Sequence, residues 1–206
     1  MTVYAVSRQI ALTFGLGLVL VVRVEAQTTE IQPAEILCPE VLGIGVSSNA
    51  PFCDVLVQVE PDLGIRVILP RRRGESTFSF NLHNRHTYSQ QEEAGGRAYA
   101  QYLAAIAIAT MEGEIVGRGV VLSEFREVSD LVDRVLGGAG ASGLKAVAPT
   151  GVERISMIVP EDIDELVIVG QSLEIVQFDG RDMVTALGRP VAVLSDATIE
   201  YRPRDN

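Results

Sequence analysis

The chain has 206 residues, a formal net charge of −10, 47% hydrophobic residues and only 5% aromatic residues, with no tryptophan. That charge argues against nucleic acid or an anionic membrane surface as a partner, since both are held through basic residues that displace counterions. The length suits a single domain with its own hydrophobic core, and the shortage of aromatic rings weighs against a sugar-binding platform.

At the N-terminus, Arg8 precedes an uncharged apolar run from Ile10 to Val22, and Val24 and Ala26 supply small residues where a signal peptidase reads. Residues 1–26 are therefore expected to be a cleavable signal peptide, with the mature chain starting at Gln27. As a helix the apolar run would reach only about 20 Å, short of a hydrocarbon core of about 30 Å, so no stable membrane insertion is expected after cleavage. The first cysteine, Cys38, lies well beyond the run, which excludes a lipid-anchored start. Losing Arg8, Arg23 and Glu25 makes the mature chain one unit more negative. The expected location is periplasmic or secreted.

Residues 27–37 are polar, contain Pro33 and read as a loose lead-in to a single β-rich domain over 38–206. Cys38 and Cys53 are the only cysteines. In an oxidising compartment they are expected to form a disulfide, worth about 3 kcal/mol in the chain-entropy model, with buried free thiols as the alternative. As a metal site the pair would lack further ligands.

Downstream, β-branched runs of strand length fall at Val55–Val59, Gly64–Leu69, Ser76–Leu82, Arg154–Val159, Leu166–Val169, Leu173–Phe178 and Val191–Leu194. They are punctuated by Glu60-Pro61-Asp62, Asp179-Gly180 and Gly188-Arg189-Pro190, which supply turn geometry or exclude helix. The segment 99–111 carries five alanines that favour helix, yet Ile106, Ile108 and Thr110 alternate as in a strand. It is read as a strand, paired through the turn Glu112-Gly113-Glu114 with Ile115–Leu122; a helix over 94–112 stays open. One amphipathic helix is expected near 125–136, because Phe125, Val128, Leu131, Val132, Val135 and Leu136 form one stripe ending at Gly137-Gly138. The glycine-rich stretch 137–143 follows that helix instead of opening one and lacks the Lys-Ser/Thr ending of a phosphate loop.

Candidate chemistry is sparse. The two histidines, His83 and His86, stand three apart, and an extended strand would turn them to opposite faces. They are expected to be exposed at a strand end that runs into the polar loop 87–96. Either could act as the general base of a hydrolase, but no Gly-x-Ser-x-Gly motif supplies a nucleophile. Either could bind metal if acidic residues joined from elsewhere in the fold. Residues 160–165 (PEDIDE) hold four carboxylates without the glycine and spacing of an EF-hand and read as a solvated acidic turn. Arg71-Arg72-Arg73-Gly74 reads as a charged turn.

No run of residues names a characterised family. In strand count alone the chain resembles immunoglobulin-like and other two-sheet exported modules, a likeness that carries no site. The expected fold is mainly β, a two-sheet antiparallel sandwich with one inserted helix. The leading expectation for function is a non-catalytic exported domain that binds or assembles with an unknown protein or extracellular ligand, without a cofactor. The alternatives are a hydrolase using His83 or His86, and a metal-binding envelope protein.

Overall fold

The alternation of apolar and polar residues is realised as twelve strands among the residues described by the computed structural model, which are 28–88, 90–135 and 146–204. The strands are β1 (Glu30–Pro33), β2 (Glu35–Leu37), β3 (Val41–Ile44), β4 (Pro51–Leu56), β5 (Ile65–Ile68) and β6 (Ser76–Tyr88). They continue with β7 (Ala100–Ala109), β8 (Ile115–Phe125), β9 (Ala146–Val159), β10 (Glu165–Gln177), β11 (Gly180–Val184) and β12 (Pro190–Tyr201). One sheet runs β3-β4-β12-β6-β9 with β1 beside β12, and the other runs β2-β5-β10-β7-β8 with β11 beside β10. Every pairing of these strands is antiparallel. The expected fold class holds: mainly β, in two antiparallel sheets.

The side-chain period of two along each strand puts one face of each sheet inside. Phe78, Phe80, Leu82, Leu194 and Ile199 come from the first sheet. They meet Ile65, Val67, Tyr102, Ile106, Ile108, Phe125, Leu166 and Ile168 from the second in one core. At one corner Val57, just past β4, bridges in parallel to Gly170 of β10. A Cβ at Gly170 would lie 2.4 Å from Val191 Cγ2 and 3.0 Å from the Leu56 backbone, so only glycine lets the sheets approach there.

Strand pairing begins earlier than expected: β1 and β2 lie within the stretch read as a lead-in and are paired with β12 and β5. Segment 99–111 is a strand. Its inner positions Tyr102, Ala104, Ile106 and Ile108 are buried, and β7 is hydrogen-bonded on both sides, which outweighs the helical preference of its alanines. The turn after it closes as expected, with Thr110 N–H donating to Glu114 O at 2.8 Å.

The helix near 125–136 does not form. Phe125 ends β8, a single 3₁₀ turn covers Val128–Asp130, and the chain then continues extended, with Leu131 bridging Thr150 and Val135 bridging Gly45. The Asp130 carboxylate accepts from the N–H groups of Arg126 (2.6 Å) and Glu127 (3.1 Å), closing the turn tightly. Val132 N–H donates to Pro149 O and Val46 N–H to Arg134 O, both at 2.8 Å. These cross-chain bonds replace helical ones. The resulting strap, 126–135, begins at the margin of the main core, where Val128 and Leu131 pack, and ends on the outer side of the first sheet, where Val135 packs with Phe52 and Val193 in a second, smaller apolar cluster. Residues 1–27, with the expected signal peptide, and the glycine-rich stretch 137–143 lie outside the described residues, as does Leu136.

Candidate functional site

The two cysteines are brought together as expected: Cys38 follows β2, Cys53 lies in β4, and a disulfide joins them with Cα atoms 5.9 Å apart. The bond links a residue after a strand of one sheet to a strand of the other. It also forms part of the wall of a cavity of about 430 Å³. Pro33, Ala34, Ile36 and Phe52 are among the other apolar wall residues, and the wall also includes Ser195, Asp196, Ala197 and Thr198. These last four residues are a bulge in β12, where the register with β6 shifts between Ser195 and Thr198. Asp196 has φ of 49°, in the left-handed region that non-glycine residues rarely occupy. Arg154 holds it there, its Nη1 donating to Asp196 O at 2.8 Å and its Nη2 to Thr198 Oγ1 at 2.8 Å.

Immediately before the strained residue, Ser195 lies 2.7 Å through Oγ from His83 Nε2. The other ring nitrogen, Nδ1, is 2.6 Å from Gly151 O. A carbonyl oxygen can only accept, so Nδ1 carries the proton, Nε2 is the acceptor and the Ser195 hydroxyl donates to it. Gly151 can present this carbonyl because β9 bulges opposite His83, with φ of 66° at Gly151. A Cβ there would lie 2.7 Å from Ser123 Cβ. His83 is only 1% exposed and meets Phe52 edge-on, with ring centroids 5.8 Å apart. Burial lowers its pKa, partly offset by the Gly151 hydrogen bond. Asp54, also buried, does not serve His83: its Oδ1 accepts from Arg85 Nε at 2.9 Å. Burial raises the Asp54 pKa, against the pull of Arg85.

The expectation of two exposed histidines is overturned. His86 is 2% exposed, stacked on Phe125 at 3.8 Å between ring centroids and edge-on to Tyr102 at 4.9 Å. Burial brings its pKa down to about 4, against a weaker upward pull from Asp130, and its Nδ1 has no hydrogen-bond partner among the described residues. Because β6 stays extended, His83 belongs to the outer side of the first sheet, beside Phe52, and His86 to the inner side against the second sheet. The pair does not converge on a metal ion, and no group of three or more His, Cys, Asp or Glu side chains suited to one occurs among the described residues. Between them Asn84 reaches across the sandwich, its amide nitrogen within hydrogen-bonding distance of Ser123 Oγ (2.7 Å), Tyr102 O (3.1 Å) and Val121 O (3.3 Å), which share its two N–H groups.

The basic and acidic runs turn out to be one structure. Arg72 is only 3% exposed, so the stretch 71–73 is not simply a solvated turn. Its guanidinium donates to Pro160 O at 2.6 Å and to Ile163 O at 2.5 Å, tying down the acidic loop 160–165. Burial lowers its pKa, while Asp164, Glu161 and Asp162 oppose that by favouring the charged form. Asp133 plays the mirrored part in the strap, accepting from Ser47 N–H at 3.0 Å, Ser48 N–H at 2.7 Å and Arg134 N–H at 2.6 Å. Desolvation pushes its carboxyl up, but these bonds and the Ser48 hydroxyl hold it well below the usual carboxylate range.

Ser195 and Gly151 were not singled out in the sequence. Ser195 is 112 residues from His83, and no local motif marks either residue.

The fold and site define a disulfide-linked two-sheet antiparallel β-sandwich with an apolar cavity next to a serine–histidine pair. No protein-family model matches the chain, and no curated protein matches it. Among solved structures it is similar to the K1 cleaved adhesin domain of Lys-gingipain from Porphyromonas gingivalis W83, at 8% identity and a TM-score of 0.33, over 86% of this chain and 99% of that one. It is also similar to VP2 of the infectious bursal disease virus subviral particle, at 11% identity and a TM-score of 0.24, over 89% of this chain and 46% of that one.

Proposed function

We propose that the protein is an exported binding domain that takes up a small, mostly apolar molecule in the cavity bounded by the Cys38–Cys53 disulfide and the β12 bulge. The observation that carries this reading is the cavity itself. At about 430 Å³ it falls in the size range of small-molecule sites, roughly 300–1,000 Å³, and it has their composition, an apolar wall with a few placed polar groups. Ser195, Asp196 and Thr198 are those groups. Export is supported by the signal-peptide pattern of residues 1–26 and is compatible with the disulfide.

Titration with the apolar fluorophore 1-anilinonaphthalene-8-sulfonate tests the cavity. Ala50, on its wall, would be replaced by the bulky Trp. Saturable one-to-one binding that competes with a short-chain fatty acid and is lost in Ala50→Trp is expected. Binding that survives the substitution with the thermal transition unchanged would refute the site. N-terminal sequencing of protein recovered outside the cytoplasm is expected to begin at Gln27.

A further inference from the structure

We propose that the cavity is a reaction site as well as a binding site, with Ser195 as a nucleophile toward carboxylic esters bearing an apolar acyl chain and His83 as its general base. The inference rests on the binding reading above and adds the substrate class and the chemistry.

Three observations converge. The Ser195 hydroxyl donates to His83 Nε2 at 2.7 Å, the arrangement in which an imidazole can take the serine proton as the oxygen attacks. The Gly151 carbonyl, 2.6 Å from Nδ1, fixes the tautomer and ring orientation that leave Nε2 free to accept, a part more often played by a carboxylate. And Ser195 is itself a wall residue of the cavity, on a bulge whose next residue is held in the left-handed region. Backbone strain of this kind is tolerated only where the surroundings enforce it, and it clusters at functional positions. Here Arg154 does the enforcing.

The steps balance without an outside oxidant or cofactor. Ser195 Oγ forms a bond to the ester carbonyl carbon as its proton passes to His83 Nε2. The carbon–alkoxy bond then breaks, and the departing alkoxy oxygen takes that proton to leave as an alcohol. Water, deprotonated by the same Nε2, attacks the acyl-serine ester. The acid departs, and the proton returns to Ser195 Oγ. The mostly apolar wall fits an acyl chain better than a charged substrate.

The test is exposure of the intact, disulfide-bonded protein to an alkyl fluorophosphonate, which phosphonylates an activated serine with loss of fluoride. Mass mapping of the unsubstituted chain is expected to place the adduct on Ser195. Labelling should disappear in Ser195→Ala and slow by about 100-fold or more in His83→Gln, and p-nitrophenyl butyrate hydrolysis should follow the same order. Thermal melts accompany each variant; Ser195→Ala removes one oxygen and is the variant to rely on if His83→Gln fails to fold. An unlabelled chain, an adduct on another residue, or a Ser195→Ala protein that labels or hydrolyses ester as fast as the unsubstituted one overturns the proposal. Fluorophore binding in the cavity without labelling at Ser195 overturns the chemistry alone, whereas loss of cavity binding overturns the reading beneath it.

Discussion

Acidification should destabilise this fold through His86, and the size of the effect can be worked from its surroundings. The ring is stacked on Phe125 inside the sandwich, and burial brings its pKa to about 4 from an ordinary value of 6.5. The unfolded chain therefore takes up a proton at a pH where the fold still excludes one. The stabilisation is whole above pH 6.5, declines as pH falls from there, and is exhausted near pH 4. Linkage sets the loss at about 3 kcal/mol. His83 is lowered by burial in the same direction, while the raised carboxyl of Asp54 acts oppositely. The informative quantity is thus the difference between the unsubstituted protein and His86→Phe, which keeps a planar ring against Phe125 and removes the titration. Urea unfolding followed by circular dichroism at several pH values between 7 and 4 would measure it. The unsubstituted chain should lose about 3 kcal/mol more than His86→Phe across that interval. Parallel curves would show that His86 titrates normally, and the buried, stacked geometry would then have no energetic consequence of this kind.

Two other outcomes are expected. Replacing both Cys38 and Cys53 with serine should lower stability by about 3 kcal/mol, since the bond closes a loop with a sequence separation of 15, measured as a shift in the urea midpoint. Asp133→Asn should cost on the order of 2 kcal/mol by removing charge-assisted bonds from Ser47, Ser48 and Arg134, and should speed hydrogen exchange at the Val46 amide, which is bonded to the strap.

What could be read from the sequence was what depends on neighbours along the chain. Strand alternation in β5, β6 and β10, the turn at Gly113 and the proximity of Cys38 to Cys53 are local signals, and the structure follows them. The segment after Phe125 misled because helical spacing of apolar residues has more than one physical origin. Phe125 faces the main core, Val128 and Leu131 pack at its margin, and Val135 belongs to the outer cluster. Three surfaces reached by an extended strap mimic one stripe. The histidines misled for a related reason: nothing near His83 announces Phe52, Gly151 and Ser195 from other strands, and nothing near His86 announces Phe125 from the other sheet. Arg72 looked solvated because the carbonyls that receive it arrive 88 and 91 residues later. The serine–histidine pair depends on two bulges, in β9 and β12, whose positions are set by register between strands distant in sequence.

The disulfide makes the cavity a redox-dependent feature of the fold. Because the bonded cysteines are themselves part of the cavity wall, a reduced chain has the residues of the cavity without the covalent tie that holds its two sides together. One covalent bond thus serves both the loop it closes and the spacing of the cavity's two sides, so the shape of the cavity depends on the redox state of its surroundings.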